Sequence, residues 1–354
     1  MVIPTEPIGS VPRPADVIDA WRDRRAGRVS AERFQQIVEG ALRETIRRFE
    51  ETGSPVITDG EQTKSSFATY PLDGASDLAP DGVVVPFEDG HTRQLPRLTT
   101  GPFRYATHAS KYLAAAKALT TRPVKQAVIS ASALSLLYPE AGIPGYPRET
   151  FLVDLVNEAA ADIRQCLDQG ADSVQIDFTE GRLSLKLDPS GGLLDQFVAL
   201  NNRVLDRFSD SDRRRIGVHT CPGGDRDSTH SADVDYAGLL PVLFRLRAGR
   251  FYVQLASEPD PKRVLGLIRE HRQRDQVVFV GVTDPIDPVV ETADLVRDRT
   301  LLAARYIPIQ SLGTTDDCGF APFADDTSTS RDIAFGKIRA RVEGTARAAA
   351  TLAG

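Results

Sequence analysis

One stretch of the chain decides its fold, and it reads IGVHTCPGG at residues 216–224. It is a short apolar run that ends in a His-x-Cys pair and a turn, which is typical of a buried β-strand. A strand sends residues i and i+2 to the same face, so His219 and Cys221 are expected to lie on one side. An imidazole and a thiol placed in this way can bind one metal ion, provided that further ligands come from elsewhere in the chain.

On both sides of this strand the pattern of strand followed by helix continues. Helices are predicted at residues 192–208 and 234–248. Strands are expected near residues 2–8, 55, 124, 173, 215, 251, 277 and 306, and the last of them is placed at Tyr306 to Gln310. The strands from residue 124 onward alternate with helices. Eight parallel strands with crossover helices close into an α/β fold, the (β/α)8 TIM barrel, which we predict as a single domain over residues 1–354.

The segment from about residue 66 to 122 interrupts this alternation, since Pro, Gly and Asp cluster there around a β-like patch at 82–87. We predict an inserted hairpin or lid, an excursion that follows the second strand. The alternative to a barrel is a doubly wound open sheet. Such a sheet normally carries a Gly-rich phosphate-binding turn after an early strand, and Gly-x-Gly-x-x-Gly is absent from the sequence.

The composition is that of an ordinary globular protein, with a net charge of -6 and basic residues interleaved with acidic ones. This pattern does not indicate a nucleic-acid partner. There is neither an apolar run long enough to span a membrane nor a signal-like leader, so the predicted location is the cytoplasm, with no membrane partner. In a reduced compartment the 3 cysteines are expected to be free as metal ligands or nucleophiles.

Polar or metal-binding groups stand at the C-terminal ends of most of the predicted strands, where barrels of this kind carry their chemistry. Cys318 follows the last strand, so His219, Cys221 and Cys318 are expected to converge as three zinc ligands that leave one position open. Ligation by thiolates favours thiol alkylation. Metal-assisted hydrolysis is the other use of an open zinc position, but it usually draws on His and carboxylate ligands.

Five short motifs follow one another at the predicted strand ends. They are IGSVPR at 8–13, DGE at 59–61, QID at 175–177, HTC at 219–221 and GTTDDCGF at 313–320. Together and in this order they resemble the C-terminal catalytic barrel of the cobalamin-independent methionine synthase family, from about residue 6 to the C-terminus. The N-terminal barrel of that family is missing, so the chain resembles a single-barrel "core" member.

The resemblance implies a function and a set of site residues. Zinc would be bound by His219, Cys221 and Cys318. Homocysteine would be held by Ile8, Gly9, Ser10 and Glu61, with Asp177 on its ammonium group. The implied activity is zinc-dependent transfer of a methyl group to the homocysteine thiol, activated as a zinc thiolate, in methionine synthesis. This is the class of the 5-methyltetrahydropteroyltriglutamate–homocysteine methyltransferases.

The chain also departs from the family pattern around the metal. Gln254 stands where the family has a glutamate as fourth zinc ligand. The fourth ligand in this chain is therefore expected to be Gln254, Glu258 or water. Ile286 replaces the acid histidine after the seventh strand, and His230, in the loop after the metal pair, is an alternative proton donor. The candidate catalytic groups are Asp177, Asp284 and His230.

The donor side departs further. The family tryptophan after the third strand is replaced by SASAL at 130–134, and the sole Trp21 is expected in a packing or surface role. These changes leave alternatives open for the methyl donor: methylcobalamin on a corrinoid or other donor protein, an epoxide, or another methylated compound. A non-catalytic metal-binding relative is a third hypothesis.

Overall fold

The computed structural model of the protein describes residues 2–224 and 229–354. Its strands are β1 (Leu78–Ala79), β2 (Val84–Pro86), β3 (Thr92–Gln94), β4 (Arg97–Leu98), β5 (Gln126–Ile129), β6 (Val174–Asp177), β7 (Ile216–Thr220), β8 (Arg250–Val253), β9 (Val277–Thr283) and β10 (Leu312–Asp316). Its helices are α1 (Ala15–Arg25), α2 (Ala31–Glu51), α3 (Ser110–Lys117), α4 (Ala131–Ser135), α5 (Arg148–Asp168), α6 (Glu180–Leu187), α7 (Gly192–Leu205), α8 (Asp210–Arg213), α9 (Tyr236–Leu243), α10 (Pro261–His271), α11 (Ala293–Ala303) and α12 (Arg331–Ala353).

Strands β5 to β10 form one parallel sheet in which each strand lies beside its neighbour in the chain. Every residue of β5, β6 and β7 is buried, as expected where a parallel sheet is covered on both faces. A helix follows each of β5 to β10 in the chain. The alternation predicted from the sequence is therefore confirmed.

The first two predicted strands close the sheet into a barrel, although they are extended segments and not regular strands. Thr5 bridges Thr314 of β10, and Ile57 bridges Val124 just before β5, both in parallel. The Thr58 hydroxyl donates to the carbonyl of Gly9 at 2.8 Å, which joins the two segments to each other. Prolines at positions 4 and 7 have no N–H group to donate, so the first segment cannot form a continuous ladder.

Two sequence predictions about element boundaries were wrong. Tyr306 lies in a turn and Ile307 in a bend, a 3-10 helix follows at Ile309–Ser311, and the eighth strand is β10 at Leu312–Asp316. Pro308, which cannot donate to a ladder, interrupts the apolar run that had indicated a strand. The helix expected at 234–248 is the shorter α9, which holds Pro241 in its interior.

The helices follow the ordinary rules of capping and amphipathicity. The Ser30 hydroxyl accepts a hydrogen bond from the Arg33 N–H at the start of α2, which satisfies one of the free donors of the first turn. Further along α2, Leu42, Ile46 and Phe49 recur at intervals of three or four residues and are buried. This spacing places them on one helix face that packs on the barrel.

A buried ion pair ties the last helix to the last strand and to the start of the chain. The Nε of Arg341 in α12 lies 3.0 Å from Oδ1 of Asp316, and neither side chain is more than 1% exposed. A second guanidinium nitrogen of Arg341 donates to the Thr5 hydroxyl at 2.6 Å, and the Thr283 hydroxyl donates to Asp316 at 2.8 Å. These bonds connect three neighbouring segments of the barrel wall.

The predicted excursion after the second strand is confirmed. It contains α3 and two small antiparallel pairs, β1 with β4 and β2 with β3. The β2–β3 pair forms a hairpin (residues 84–94) that contacts the loops after β7 and β10: the Glu88 N–H donates to the Thr229 carbonyl at 2.9 Å, and the Arg93 guanidinium lies 3.8 Å from the centre of the Phe323 ring. Within the described residues, no helix is long and apolar enough to cross a membrane.

Candidate functional site

The three predicted metal ligands converge at the C-terminal ends of the barrel strands. His219 lies on β7, Cys221 follows that strand, and Cys318 lies in the loop after β10. One ligand atom from each residue lies within 4.8 Å of the others, and all three side chains are buried. The period of two along β7 places His219 and Cys221 on one side, as the sequence predicted. The parallel sheet then brings the end of β10 to the same edge.

The local chemistry of these side chains fits a metal ion. Nδ1 of His219 lies 3.1 Å from Oδ1 of Asp177, while the buried Nε2 has no hydrogen-bond partner among the described residues. A buried polar atom left in this state costs about 1–3 kcal/mol unless a ligand satisfies it. One imidazole nitrogen and two thiol sulfurs form a donor set that zinc prefers, and a carboxylate on the other ring nitrogen is the usual way to orient a ligating histidine.

Each group in the cluster shifts the protonation of its neighbours. Burial opposes ionisation of the Cys221 thiol, but the hydrogen bond from Cys318 and the nearby His219 imidazole outweigh it and hold the pKa of Cys221 well below its ordinary value. Burial and the adjacent Cys221 raise the pKa of Cys318. Burial also lowers the pKa of His219, yet Cys221 and Asp177 together raise it to about 9. The thiol of Cys221 is therefore more readily ionised than that of Cys318.

A layer of side chains behind the cluster keeps Asp177 in place. The Gln175 amide donates to Oδ1 of Asp177 at 2.7 Å, and the ammonium group of Lys125 donates to the Gln175 amide oxygen at 2.7 Å. Both residues are fully buried. Gln175 belongs to the QID motif, but its role was missed because the bond to Lys125 joins two strands that are distant in sequence.

A cavity of about 710 Å³ opens over the cluster. It is lined by the three metal ligands and by every residue predicted to bind the amino-acid substrate, namely Ile8, Gly9, Ser10, Glu61 and Asp177. Glu61 has a left-handed backbone conformation, with φ of 57°. Its carboxylate accepts a hydrogen bond from the buried ammonium group of Lys64 at 3.1 Å. The carbonyl of Glu61 accepts from Arg13 at 2.7 Å. The structure therefore brings the predicted substrate and metal residues together.

The other predicted site residues are divided between the cavity and its surroundings. His230 lines the cavity, where burial lowers its pKa to about 4. Gln254 and Asp284 are described residues outside the cavity lining. The amide oxygen of Gln254 accepts from Arg182 at 3.2 Å, and its nitrogen donates to the Ser257 hydroxyl at 2.6 Å. Its part as a fourth ligand stays a prediction.

Glu258 and Asp284 also have local partners. Glu258 forms an ion pair with Arg182 at 3.0 Å, so the guanidinium engages both residues that were considered for the fourth ligand position. Asp284 accepts from the Ile286 N–H at 2.9 Å, an interaction that shapes the loop after β9. The catalytic role of Asp284 stays a prediction.

Trp21 and Glu180 are among the residues that line the cavity but were not predicted to lie there. Trp21 packs edge-on against Phe34, with 4.7 Å between the ring centres. It therefore has the expected packing role and also forms part of the cavity wall. Glu180 opens α6 with an almost fully buried carboxyl group. Its position three residues after Asp177, at the start of a helix on the barrel rim, is the signal that could have selected it.

The close approach of two loops at the metal cluster yields a testable prediction at Gly224. A Cβ atom there would lie 2.5 Å from the Gly319 carbonyl oxygen and 2.9 Å from Sγ of Cys318. Gly224→Ala must push the Cys318 loop away, so we expect metal affinity to fall by about 10-fold or more, as for loss of an outer-shell partner. A competition titration against a chelator measures this change.

Gly266→Ala is the matched control for this substitution. Gly266 lies in α10, and a Cβ atom there would meet nothing within 4 Å. Metal affinity should stay the same, while the free energy of unfolding should rise by about 0.5–1 kcal/mol from the helical preference of alanine. Equal metal affinity in the Gly224 variant and the wild type would contradict the crowding argument.

Comparison with known proteins agrees with the fold and identifies a family. A family model described as "Cobalamin-independent synthase, Catalytic domain" matches residues 3–333. The chain is 23% identical over 346 residues to a methionine synthase of Saccharolobus solfataricus, with 97% of this chain and 94% of that protein covered. It is 22% identical over 355 residues to the uncharacterized protein YxjG of Bacillus subtilis, with 95% and 92% covered.

Among solved structures, a B12-independent methionine synthase from Shewanella sp. W3-18-1 in complex with selenomethionine has the same fold. It superposes with a TM-score of 0.77 at 19% identity and covers 100% of this chain and 99% of that chain. The family match spans nearly the whole chain. The protein therefore belongs to the cobalamin-independent synthase catalytic-domain family, a family of methionine synthase-like methyltransferases.

Proposed function

We propose that the protein transfers a methyl group to the thiol of homocysteine, giving methionine, and that it binds zinc for this purpose. One observation carries the proposal: His219, Cys221 and Cys318 meet at the floor of a cavity that is also lined by Ser10, Glu61 and Asp177. A donor set for zinc and groups suited to an amino acid thus face the same space.

The residues around the cavity have separable tasks. Zinc, when bound, supplies a Lewis acid that lowers the pKa of a substrate thiol. Asp177 holds the ring of His219 through Oδ1. Its second oxygen is left for the ammonium group of the substrate, since the bonds from Gln175 and His219 both go to Oδ1. The carboxyl group of Glu61, anchored by Lys64, lies in the same cavity. The turn at residues 8–10 offers N–H groups to the substrate carboxylate.

The methyl donor is proposed to be a small molecule. The family is described as cobalamin-independent, so a corrinoid partner protein is not part of the proposal. A cavity of about 710 Å³ has room for an amino acid and part of a second reactant, because ligand sites in proteins commonly measure about 300–1,000 Å³.

The test combines metal analysis with a methyl-transfer assay. Protein purified without added metal should hold zinc at about half an equivalent or more, because a preformed buried site retains its ion. With homocysteine as acceptor, methionine should form from 5-methyltetrahydropteroyltriglutamate. A zinc content below that level with no gain on reconstitution, or methionine formation equal to that of boiled protein with every donor tried, would reject the proposal.

A further inference from the structure

The carboxyl group of Glu180 is only half satisfied. The side chain is 8% exposed and lines the same cavity as His219 and Cys221. Its Oε1 accepts hydrogen bonds from the hydroxyls of Ser130, at 2.5 Å, and of Ser132. Its Oε2 is buried and has no hydrogen-bond partner within residues 2–224 and 229–354. A buried oxygen in this state is costly, which indicates that a ligand completes its bonding.

Both serine hydroxyls lie beside the same oxygen of Glu180. The oxygen of Ser130 accepts from the Ala133 N–H at 3.1 Å, because Ser130 caps α4. The oxygen of Ser132 accepts from the Asn201 amide at 2.7 Å. Both hydroxyls are placed to donate to Oε1 of Glu180, and the Ser132 hydroxyl also lies 3.3 Å from the Ser130 oxygen. Oε1 thus has two hydroxyl donors while Oε2 has none, which favours Oε2 as the oxygen that carries a proton bound to this carboxyl group.

The environment also adjusts the acidity of the group. Burial raises the pKa of Glu180 to about 7, against the hydrogen bonds from the two serines, and the neighbouring Asp177 adds to the rise. A carboxyl group with a pKa near the working pH is populated in both forms and suits proton transfer. His230 also lines the cavity, but burial lowers its pKa to about 4, so it is mostly unprotonated at neutral pH.

We propose that Glu180 is the proton donor to the leaving group of the methyl donor, acting through Oε2. This inference rests on the proposed function and commits the donor to a class, a neutral amine that carries an N-methyl group. The S–CH3 bond forms as the CH3–N bond breaks, and the electron pair of the latter stays on nitrogen and takes the proton of Oε2. The proton lost by the substrate thiol returns Glu180 to its acid form. The balance is R–SH + CH3–NR2 → R–S–CH3 + H–NR2.

The experiment compares two donors whose leaving groups differ in their need for a proton. The first is 5-methyltetrahydropteroyltriglutamate, which leaves as an amine, and the second is methyl iodide, which leaves as iodide. The variant is Glu180→Gln, which keeps an acceptor oxygen for the two serines but has no proton to give. We expect kcat with the amine donor to fall by about 100-fold or more, while zinc content and the rate with methyl iodide, corrected for the uncatalysed reaction, change little.

Asp188→Asn is the matched control. Asp188 also accepts a hydrogen bond from a serine hydroxyl, that of Ser190 at 2.5 Å, but it lies outside the cavity lining, and its other oxygen accepts from the Leu193 N–H at 2.8 Å. Its removal should leave the rates with both donors close to those of the wild type. Glu180→Ala serves as the second variant, and it should show the same dependence on the donor.

Each other outcome contradicts a specific statement. If Glu180→Gln lowered the rate equally with both donors, Glu180 would be a structural residue. If the variant kept the wild-type rate with the amine donor, Glu180 would have no role in catalysis. A wild-type protein that methylates homocysteine from methyl iodide but not from the amine donor would overturn the role of Glu180 and leave thiol activation standing. No methylation from either donor would refute the proposed function itself.

Discussion

Replacing Cys318 by serine should empty the metal centre and reduce methyl transfer to homocysteine by about 1,000-fold or more. The structure supplies three side chains within ligand distance of one another, so Cys318→Ser removes one third of the protein's donor set. Loss of outer-shell partners alone typically costs 10–100-fold in metal affinity or activity, and the loss of a direct ligand must exceed that. Zinc content by mass spectrometry and an initial-rate assay measure the two effects.

Cys166→Ala provides the control, because the chain contains a third cysteine in a different setting. Cys166 lies in α5, has no exposed surface and has a pKa raised by burial. Its replacement should cost about 1 kcal/mol of stability through packing, with zinc content unchanged. If the Cys318 variant kept a full equivalent of zinc with the wild-type dissociation constant, the assignment of Cys318 as a ligand would be wrong.

The second large effect concerns stability. Asp316→Ala leaves the guanidinium group of Arg341 buried without its counter-ion, since Arg341 has no exposed surface and its closest carboxylate is that of Asp316 at 3.0 Å. Removing one partner of a buried ion pair typically costs about 3–5 kcal/mol, because the remaining charge stays desolvated. We expect the urea midpoint to fall accordingly, with the slope of the transition unchanged.

A surface ion pair on the same helix offers the comparison. Arg347 in α12 meets Asp294 at 2.9 Å, but the two side chains are 51% and 59% exposed. Arg347→Ala should cost no more than about 1 kcal/mol, the upper end of the range for exposed pairs. If the two variants lost similar amounts of stability, the buried Asp316–Arg341 pair would contribute no more to stability than an exposed pair.

Local sequence patterns predicted most of the barrel and the metal cluster correctly. Apolar runs between helices predicted strands β5 to β9, and the strand-end motifs predicted His219, Cys221 and Cys318 as one cluster. The eighth strand was misplaced because Leu312–Asp316 contains Gly and Thr residues that resemble a loop. There Gly313 has a tertiary reason: a Cβ atom would lie 2.4 Å from the Phe279 ring, so the close packing of β9 on β10 requires its absence.

The parts of the site that were missed depend on partners remote in the chain. The amide of Gln254 is directed by Arg182, and the hydroxyl of Ser132 by Asn201. A side chain's orientation is decided by such contacts, and the spacing of residues along a strand carries no information about them. Gln254 was therefore placed at the correct strand end with no means of predicting which way its amide would turn.

The hairpin at residues 84–94 has a kinetic consequence. It is bonded to the loop after β7 through Glu88 and to the loop after β10 through Arg93, which also pairs with Asp325 at 3.2 Å. Cys221 and Cys318 lie at the bases of these two loops. Displacing the hairpin breaks contacts on both sides at once, because Glu88 and Arg93 bind two different loops. These contacts therefore add to the energy needed for any opening of the cavity rim on this side.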